Sequence, residues 1–294
     1  MNVKLSRQLI FASGLLLALL ANLVVADSDF ERGLLWRIEK SGSPASYLFG
    51  TMHIEDPEVV KLATPVQEAF DRADGVTLEV VLDPQSLLTM ATAFMLNDGS
   101  TLESHIGSKL YTRSVKAMSA HGMPEMMVAR MKPWAVAVTL MTPPPETGVV
   151  LDLMLYQQAM AQGKPVTGLE SPMEQISLFD SFSRQEQIEL LKDTLDNIDE
   201  LPRMFADLKA AYLDRNLARL VKVSDDSMSD NNPGLVDDFN RKLIIERNHR
   251  MVERMQPVLK QGQQFIAVGA LHLPGEEGLL QLLSKQGYSV SAVY

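Results

Sequence analysis

Two stretches far apart in the chain read almost alike: Tyr47-Leu48-Phe49-Gly50-Thr51-Met52-His53 and Phe265-Ile266-Ala267-Val268-Gly269-Ala270-Leu271-His272. Each is an apolar, strand-like run that stops at a glycine and delivers a histidine three residues later. A glycine there permits a positive φ angle or a close approach of the backbone, and the following residues leave the sheet, so the histidine is presented at a strand end. A duplicated element of this kind implies two half-sites facing a common centre. In a parallel sheet the carboxyl ends of the strands open onto one crevice, where side chains distant in sequence converge.

The segments around these motifs alternate between strand and helix. Residues 34–39 and 47–50, joined by the Gly/Ser/Pro-containing stretch 40–46, read as a β-hairpin. Thr64-Pro65-Val66-Gln67 reads as a helix start, with Thr64 as the cap, Pro65 at the first helical position and Gln67 completing a capping box; the helix runs to about residue 73. Residues 75–82 form a buried strand, which completes a strand-helix-strand unit. From 84 to 162 the periodicity is helical, interrupted at Asn97-Asp98-Gly99 and Pro143-Pro144-Pro145. Its many methionines read as core filling, in helices placed to cap a site. Residues 164–170 restore strand character and repeat the Val-Thr and Leu-Glu pairs of 75–79. A helical region is expected over 184–221, a polar loop over 224–234, helix again over 235–259, a short helix over 278–286 and a closing strand over 288–293. The expected fold is α/β: a central, mostly parallel sheet built from two related halves, with helical insertions, in a single domain over residues 27–294.

Residues 1–26 have the layout of a cleaved secretory signal. Lys4 and Arg7 supply the basic start, residues 9–25 the apolar run, and Val24-Val25-Ala26 the small residues ahead of Asp27. The expected location is the periplasm; the alternative is an uncleaved N-terminal anchor, because the run is close to the shortest that spans a bilayer. The chain contains no cysteine, which excludes disulfides, thiolate metal ligands and a lipidated N-terminal cysteine. With 27 basic and 37 acidic side chains the formal charge is −10, and losing Lys4 and Arg7 takes the mature chain to −12. That acidity argues against nucleic acid and, after signal cleavage, against anionic membranes as partners.

Between the two glycine-histidine motifs lie Glu79 and Glu170, giving the mirrored order His53, Glu79, Glu170, His272. Two imidazoles and two carboxylates suit one divalent cation such as zinc, manganese, iron or cobalt, and suit an all-oxygen calcium cage less well. A cation so held lowers the pKa of bound water and polarises a carbonyl, with a glutamate that is not a ligand as the proton shuttle. The spacing is not that of a helical zinc motif, and no Walker A loop, G-x-G-x-x-G fingerprint or G-x-S-x-G elbow is present. Glu79 lies in an apolar run, so its carboxylate needs a partner, either a cation or an arginine. Glu170 reads either as a site residue or as an exposed residue near a helix following Pro172. His105 and His121 read as surface residues and His249 as solvated on a charged helix, while nothing in the sequence activates the Thr51 hydroxyl.

Several pieces of the chain, taken in order, carry a likeness to a known family. They are 48–53, Leu78-Glu79, Lys132-Pro133-Trp134, 148–152, 163–170, Glu246-Arg247-Asn248, 268–275 and the closing Gly287-Tyr288-Ser289-Val290. On these the chain resembles the TraB/GumN family, related to the Tiki proteins. The resemblance implies an α/β fold similar to that of erythromycin-esterase and ChaN-like proteins. It implies a central site of His53, Glu79, Glu170 and His272, lined by Arg247 and Asn248 as substrate-binding residues. It also implies the metal-dependent proteolysis of the Tiki relatives, typically with manganese or cobalt.

Residues and resemblance together lead to an exported hydrolase of peptide or similar amide bonds. A divalent metal, manganese, cobalt or zinc, is held by His53, His272 and one or both of Glu79 and Glu170, and any carboxylate left free is the base. The expected partner is a peptide or small-molecule substrate. The rival reading is a non-catalytic periplasmic protein that binds haem, iron or a peptide in the same cleft. The signal reading is checked by mass spectrometry of the exported protein, which is expected to begin at Asp27; a mass that includes residues 1–26 establishes the anchor instead.

Overall fold

A computed structural model describes residues 30–226 and 240–294. The expected signal segment and residues 227–239, which include most of the expected polar loop, lie outside the described residues.

Six strands form one sheet: β1 (Leu35–Glu39), β2 (Ser46–Thr51), β3 (Gly75–Val80), β4 (Val166–Glu170), β5 (Gln264–Gly269) and β6 (Ser289–Ala292), in the order β4-β3-β5-β2-β1-β6. The pairs β3–β4, β3–β5 and β2–β5 are parallel, while β1 pairs antiparallel with β2 and β6. The sheet is therefore mixed but mostly parallel, as expected. β3 and β5 are buried along their whole length, which is why they read as continuous apolar runs; a strand covered on both faces has no polar side to alternate with.

The repeated sequences are sheet neighbours. Gly50 of the first motif lies opposite Val268 and Thr51 opposite Gly269, so the two glycine-histidine motifs run side by side. The repeated Val-Thr pairs are also in register, Val76 with Val166 and Thr77 with Thr167, and the two threonine hydroxyls are 3.0 Å apart. Like pairs with like.

Helices cover both faces. The helix Thr64–Arg72 packs Phe70 edge-on against Phe265 at 5.2 Å between ring centres. The helix Pro133–Leu140 is apolar nearly all round and is buried accordingly. Its Trp134 stacks on Phe179 at 5.2 Å and donates its indole N–H to Asp180 at 2.8 Å. Asp180 also receives Lys132, so Lys132-Pro133-Trp134 ties two helices together. Among the described residues no helix is long and apolar enough to cross a membrane.

Three local expectations need correction. The carbonyl of Ala63 accepts the first bonds of the helix Thr64–Arg72, so Ala63 is the cap, Thr64 is already helical, and the Thr64/Gln67 capping box does not form. The expected helical region 184–221 holds three helices, Arg184–Asp196, Leu201–Leu213 and Leu217–Asp226, and so runs past its expected end; Pro202 opens the second and Arg215, at φ 55, closes it. Ser224, expected in a loop, is buried in the last of these helices.

Gly50 shows why the first motif needs a glycine: a Cβ there would lie 2.8 Å from Leu273 Cδ1 and 3.1 Å from Ala270 Cα. Close approach, and not a positive φ, is the requirement, because neither Gly50 nor Gly269 has one. Gly50→Ala is expected to lower the unfolding free energy by about 1–3 kcal/mol through overpacking, outweighing the entropy gained by removing a glycine. Urea unfolding checks this, and an unchanged midpoint would refute it.

Candidate functional site

The strands β4, β3, β5 and β2 are successive neighbours with parallel direction, so their carboxyl ends share one edge. Glu170 is the last residue of β4, Glu79 the last but one of β3, and His272 and His53 follow β5 and β2. Residues scattered over the sequence thus line up as Glu170, Glu79, His272, His53.

At one end of the row is a buried charge cluster. Glu79 and Glu170 are each 5% exposed and Arg247 is 7% exposed. The Arg247 side chain leaves the helix Glu246–Gln261 and donates through Nη2 to Glu79 Oε1 and, at 2.7 Å, to Glu170 Oε2. Its Nε donates to Glu170 Oε2 at 2.9 Å, and its Nη1 to the Leu243 carbonyl at 3.1 Å. Leu243 belongs to a π-helical turn, Arg241–Ile245, that leads into the helix, the kind of irregular turn found at functional sites. Gln175 adds a bond to Glu79 Oε1 at 2.8 Å and one to Glu170 Oε2 at 3.2 Å, and the Gly269 N–H donates to Glu79 Oε2 at 2.8 Å. Burial opposes the charge on Arg247, but the facing carboxylates outweigh it, and the guanidinium is held above its ordinary range. The partner that Glu79 required is therefore an arginine.

Next in the row is His272, 3% exposed. Its Nδ1 is 2.7 Å from Asn248 Oδ1, while Asn248 Nδ2 donates to the Glu277 carbonyl at 2.7 Å. That second bond fixes the amide orientation, so Oδ1 faces the ring as an acceptor and the ring proton is assigned to Nδ1. Nε2 keeps its lone pair, 3.9 Å from Glu79 Oε2. Burial, reinforced by Arg247 and only partly opposed by Glu170, pushes the imidazole pKa well down, so the ring stays neutral.

His53 ends the row. Its Nδ1 stands 2.9 Å from Asp152 Oδ2, and the other oxygen of Asp152 accepts from Thr51 Oγ1 at 3.0 Å. Asp152 is 2% exposed. The contact with His53 is close enough for an ion pair but poorly directed for a hydrogen bond, which leaves both ring nitrogens and Asp152 Oδ2 without a directed partner. Sequence reasoning gave Asp152 no role; it only closes one of the family-like stretches, and it lies 101 positions from Thr51.

Among the described residues no group of three or more His, Asp or Glu side chains converges as a ready-made cation site. The two glutamates direct most of their oxygen atoms to Arg247, Gln175 and the Gly269 N–H. The imidazoles nevertheless have the chemistry of cation ligands. His272 is oriented through Nδ1 by Asn248 Oδ1, as metal-binding histidines are, with Nε2 3.9 Å from Glu79 Oε2, while His53 has Nδ1 2.9 Å from Asp152 Oδ2 and, among the described residues, Nε2 without a hydrogen-bond partner. Two imidazoles, with Glu79 Oε2 beside His272, are donor types that suit a divalent ion.

On the far side of His53 a cavity of about 370 Å³ opens between the helices, with Met90, Met141, Leu153 and Leu208 among its lining residues. Part of its wall is Pro143-Pro144-Pro145. The chain just beyond these prolines is held by Glu55 Oε2, which accepts from the N–H groups of Glu146 at 2.8 Å, Thr147 at 2.5 Å and Gly148 at 2.8 Å. Partial burial raises the Glu55 pKa, but these bonds outweigh it and the net shift is downward. His121 also lines the cavity, half-buried with Nε2 2.9 Å from the Thr142 carbonyl, and is not the surface residue expected. His105 is likewise half-buried, 2.7 Å from Ser100 Oγ, whereas His249 is exposed and pairs with Glu277 at 2.7 Å. Arg247 and Asn248, expected as substrate-binding residues, are both buried, one on the glutamates and the other on His272.

Known proteins share this arrangement of sequence. A model of the TraB/PrgY/gumN family matches residues 34–292. The chain is 25% identical to Metalloprotease TIKI2 of Danio rerio over 313 residues, covering 87% of this chain and 60% of the relative. It is 26% identical to Metalloprotease TIKI1 of Homo sapiens over 311 residues, covering 87% and 61% respectively. To Uncharacterized protein YbaP of Escherichia coli (strain K12) it is 24% identical over 252 residues, covering 82% and 89%. The chain thus spans about 60% of the length of the TIKI relatives. No solved structure matches it significantly.

Removing Arg247 leaves two buried carboxylates facing each other. Arg247→Leu is expected to cost about 3–5 kcal/mol in urea unfolding, and adding Glu170→Gln to restore part of it. A loss below about 1 kcal/mol would mean that the cluster carries no shared charge.

Proposed function

The chain belongs to the TraB/PrgY/gumN family, and on that premise we propose that it is a metal-dependent hydrolase of peptide or similar amide bonds. The observation that carries the reading is the pair of imidazoles at adjacent strand ends, each with Nδ1 against an oxygen, His53 Nε2 without a hydrogen-bond partner among the described residues and His272 Nε2 facing Glu79 Oε2 at 3.9 Å. The names of the TIKI relatives point the same way at about a quarter identity.

In this reading His53 and His272 are ligands through Nε2, with Glu79 the nearest carboxylate. A bound divalent cation supplies an activated water and a polarised carbonyl. Asn248 holds the His272 ring in the required tautomer and orientation, and Asp152 stands within ion-pair distance of His53 Nδ1. Glu79 Oε2, beside His272, is the proton acceptor, and its other oxygen is fixed by Arg247 and Gln175. Glu170 acts through Arg247, setting the position of the guanidinium that sets Glu79. Arg247 and Asn248 are thus positioning residues in place of substrate contacts. Export completes the proposal: after signal removal the chain works in the periplasm as residues 27–294.

The second reading, binding of haem, iron or a peptide without turnover, is favoured by how completely Arg247 and Gln175 engage the carboxylates. Elemental analysis and peptide cleavage with added manganese, cobalt or zinc separate the two. The hydrolase is expected to bind metal and cleave peptide, with His53→Ala and His272→Ala losing both and Asn248→Ala or Asp152→Ala lowering metal affinity about 10–100-fold. If no metal binds under any loading while the histidine variants still bind ligand, the hydrolase reading fails.

A further inference from the structure

The cavity beyond His53 meets the row of site residues at His53. Thr51, Met52 and His53 line it on one side, and Ala270 and Leu271 of the second glycine-histidine motif line it as well. Leu87, 44% exposed, also lines it and reaches solvent. At about 370 Å³ the cavity lies within the size range of ligand pockets.

Its wall is chosen for an apolar occupant. Met90, Met123, Met141, Leu153, Phe205 and Leu208 supply much of the surface. Several polar groups in the wall are already engaged elsewhere: Tyr212 OH donates to the Gly50 carbonyl at 2.9 Å, Thr139 Oγ1 to the Ala135 carbonyl at 2.8 Å, and Thr142 Oγ1 to the Thr139 carbonyl at 2.8 Å. Glu55 is committed to the chain over residues 146–148. Among the described residues the His53 nitrogens and His121 Nδ1 are without hydrogen-bond partners, which suits the main-chain amide accompanying a side chain, and no lysine or arginine lines the wall to pair with an acidic one. The methionines adapt to aliphatic or aromatic shapes alike. Ile54, Glu55, Pro143, Pro144 and Phe205 also line a second hollow of about 210 Å³ that reaches Lys209, so these residues are a wall common to both hollows.

We propose that this cavity is the subsite for one large apolar side chain of the substrate, so that the peptides taken carry a residue of leucine, methionine or phenylalanine size beside the bond presented to His53. The inference rests on the hydrolase reading for what happens to the bound peptide, but not for the binding preference itself.

The test uses the purified protein and blocked pentaglycine peptides with a single central alanine, leucine, phenylalanine or aspartate. Binding is measured by calorimetry without metal, and cleavage is followed separately with manganese or cobalt. The leucine and phenylalanine peptides are expected to bind about tenfold or more tighter than the alanine and aspartate peptides. Leu153→Trp and Met123→Trp, two half-buried wall positions, fill the cavity and are expected to abolish that preference while circular dichroism stays that of the wild type. Equal binding of all four peptides, binding of none, or a preference that survives in a folded filled variant overturns the proposal. A preference without cleavage upholds the subsite and defeats the hydrolase reading; cleavage indifferent to the central residue does the reverse.

Discussion

One guanidinium organises the site. Arg247 reaches from a helix on one face of the sheet to carboxylates on two neighbouring strands. An isolated buried carboxylate is so costly that it takes up a proton, and two side by side are worse. With Arg247 between them, both glutamates have a partner inside the protein, and the strand ends that carry them are drawn together. The irregular turn before the helix belongs to the same solution, because its Leu243 carbonyl takes up a third side of the guanidinium.

From that cluster the polarity of the row falls off in steps. Glu170 is wholly engaged, Glu79 has one oxygen on Arg247 and the other toward His272, and His272 is held neutral by its surroundings. His53 then stands at the boundary between the polar row and an apolar hollow. The polar row and the apolar hollow thus meet at the end of one strand, where His53 belongs to both.

Much of this was legible before any coordinates. The strands announced themselves as apolar runs, and the repeated motifs turned out to be literal sheet partners. The four residues singled out stand at one sheet edge. What stayed hidden depends on long-range partners that carry no local mark. Nothing in Glu246-Arg247-Asn248 says that the arginine turns inward, and on charge alone it belongs with the solvated residues around it. Asp152 sits between two leucines at a helix start, indistinguishable from a residue favoured there by the helix dipole. Thr64 had the right chemistry for a cap, but the helix began one residue earlier, at the Ala63 carbonyl. The break at Arg215 was invisible because a positive φ is usually signalled by glycine, and here it is not.

Glu55 is two positions beyond His53, and its carboxylate anchors the far end of the proline wall. The proline wall of the hollow and the segment that carries His53 are therefore joined through one carboxylate, so the shape of the hollow and the placement of the imidazole share a single short tether.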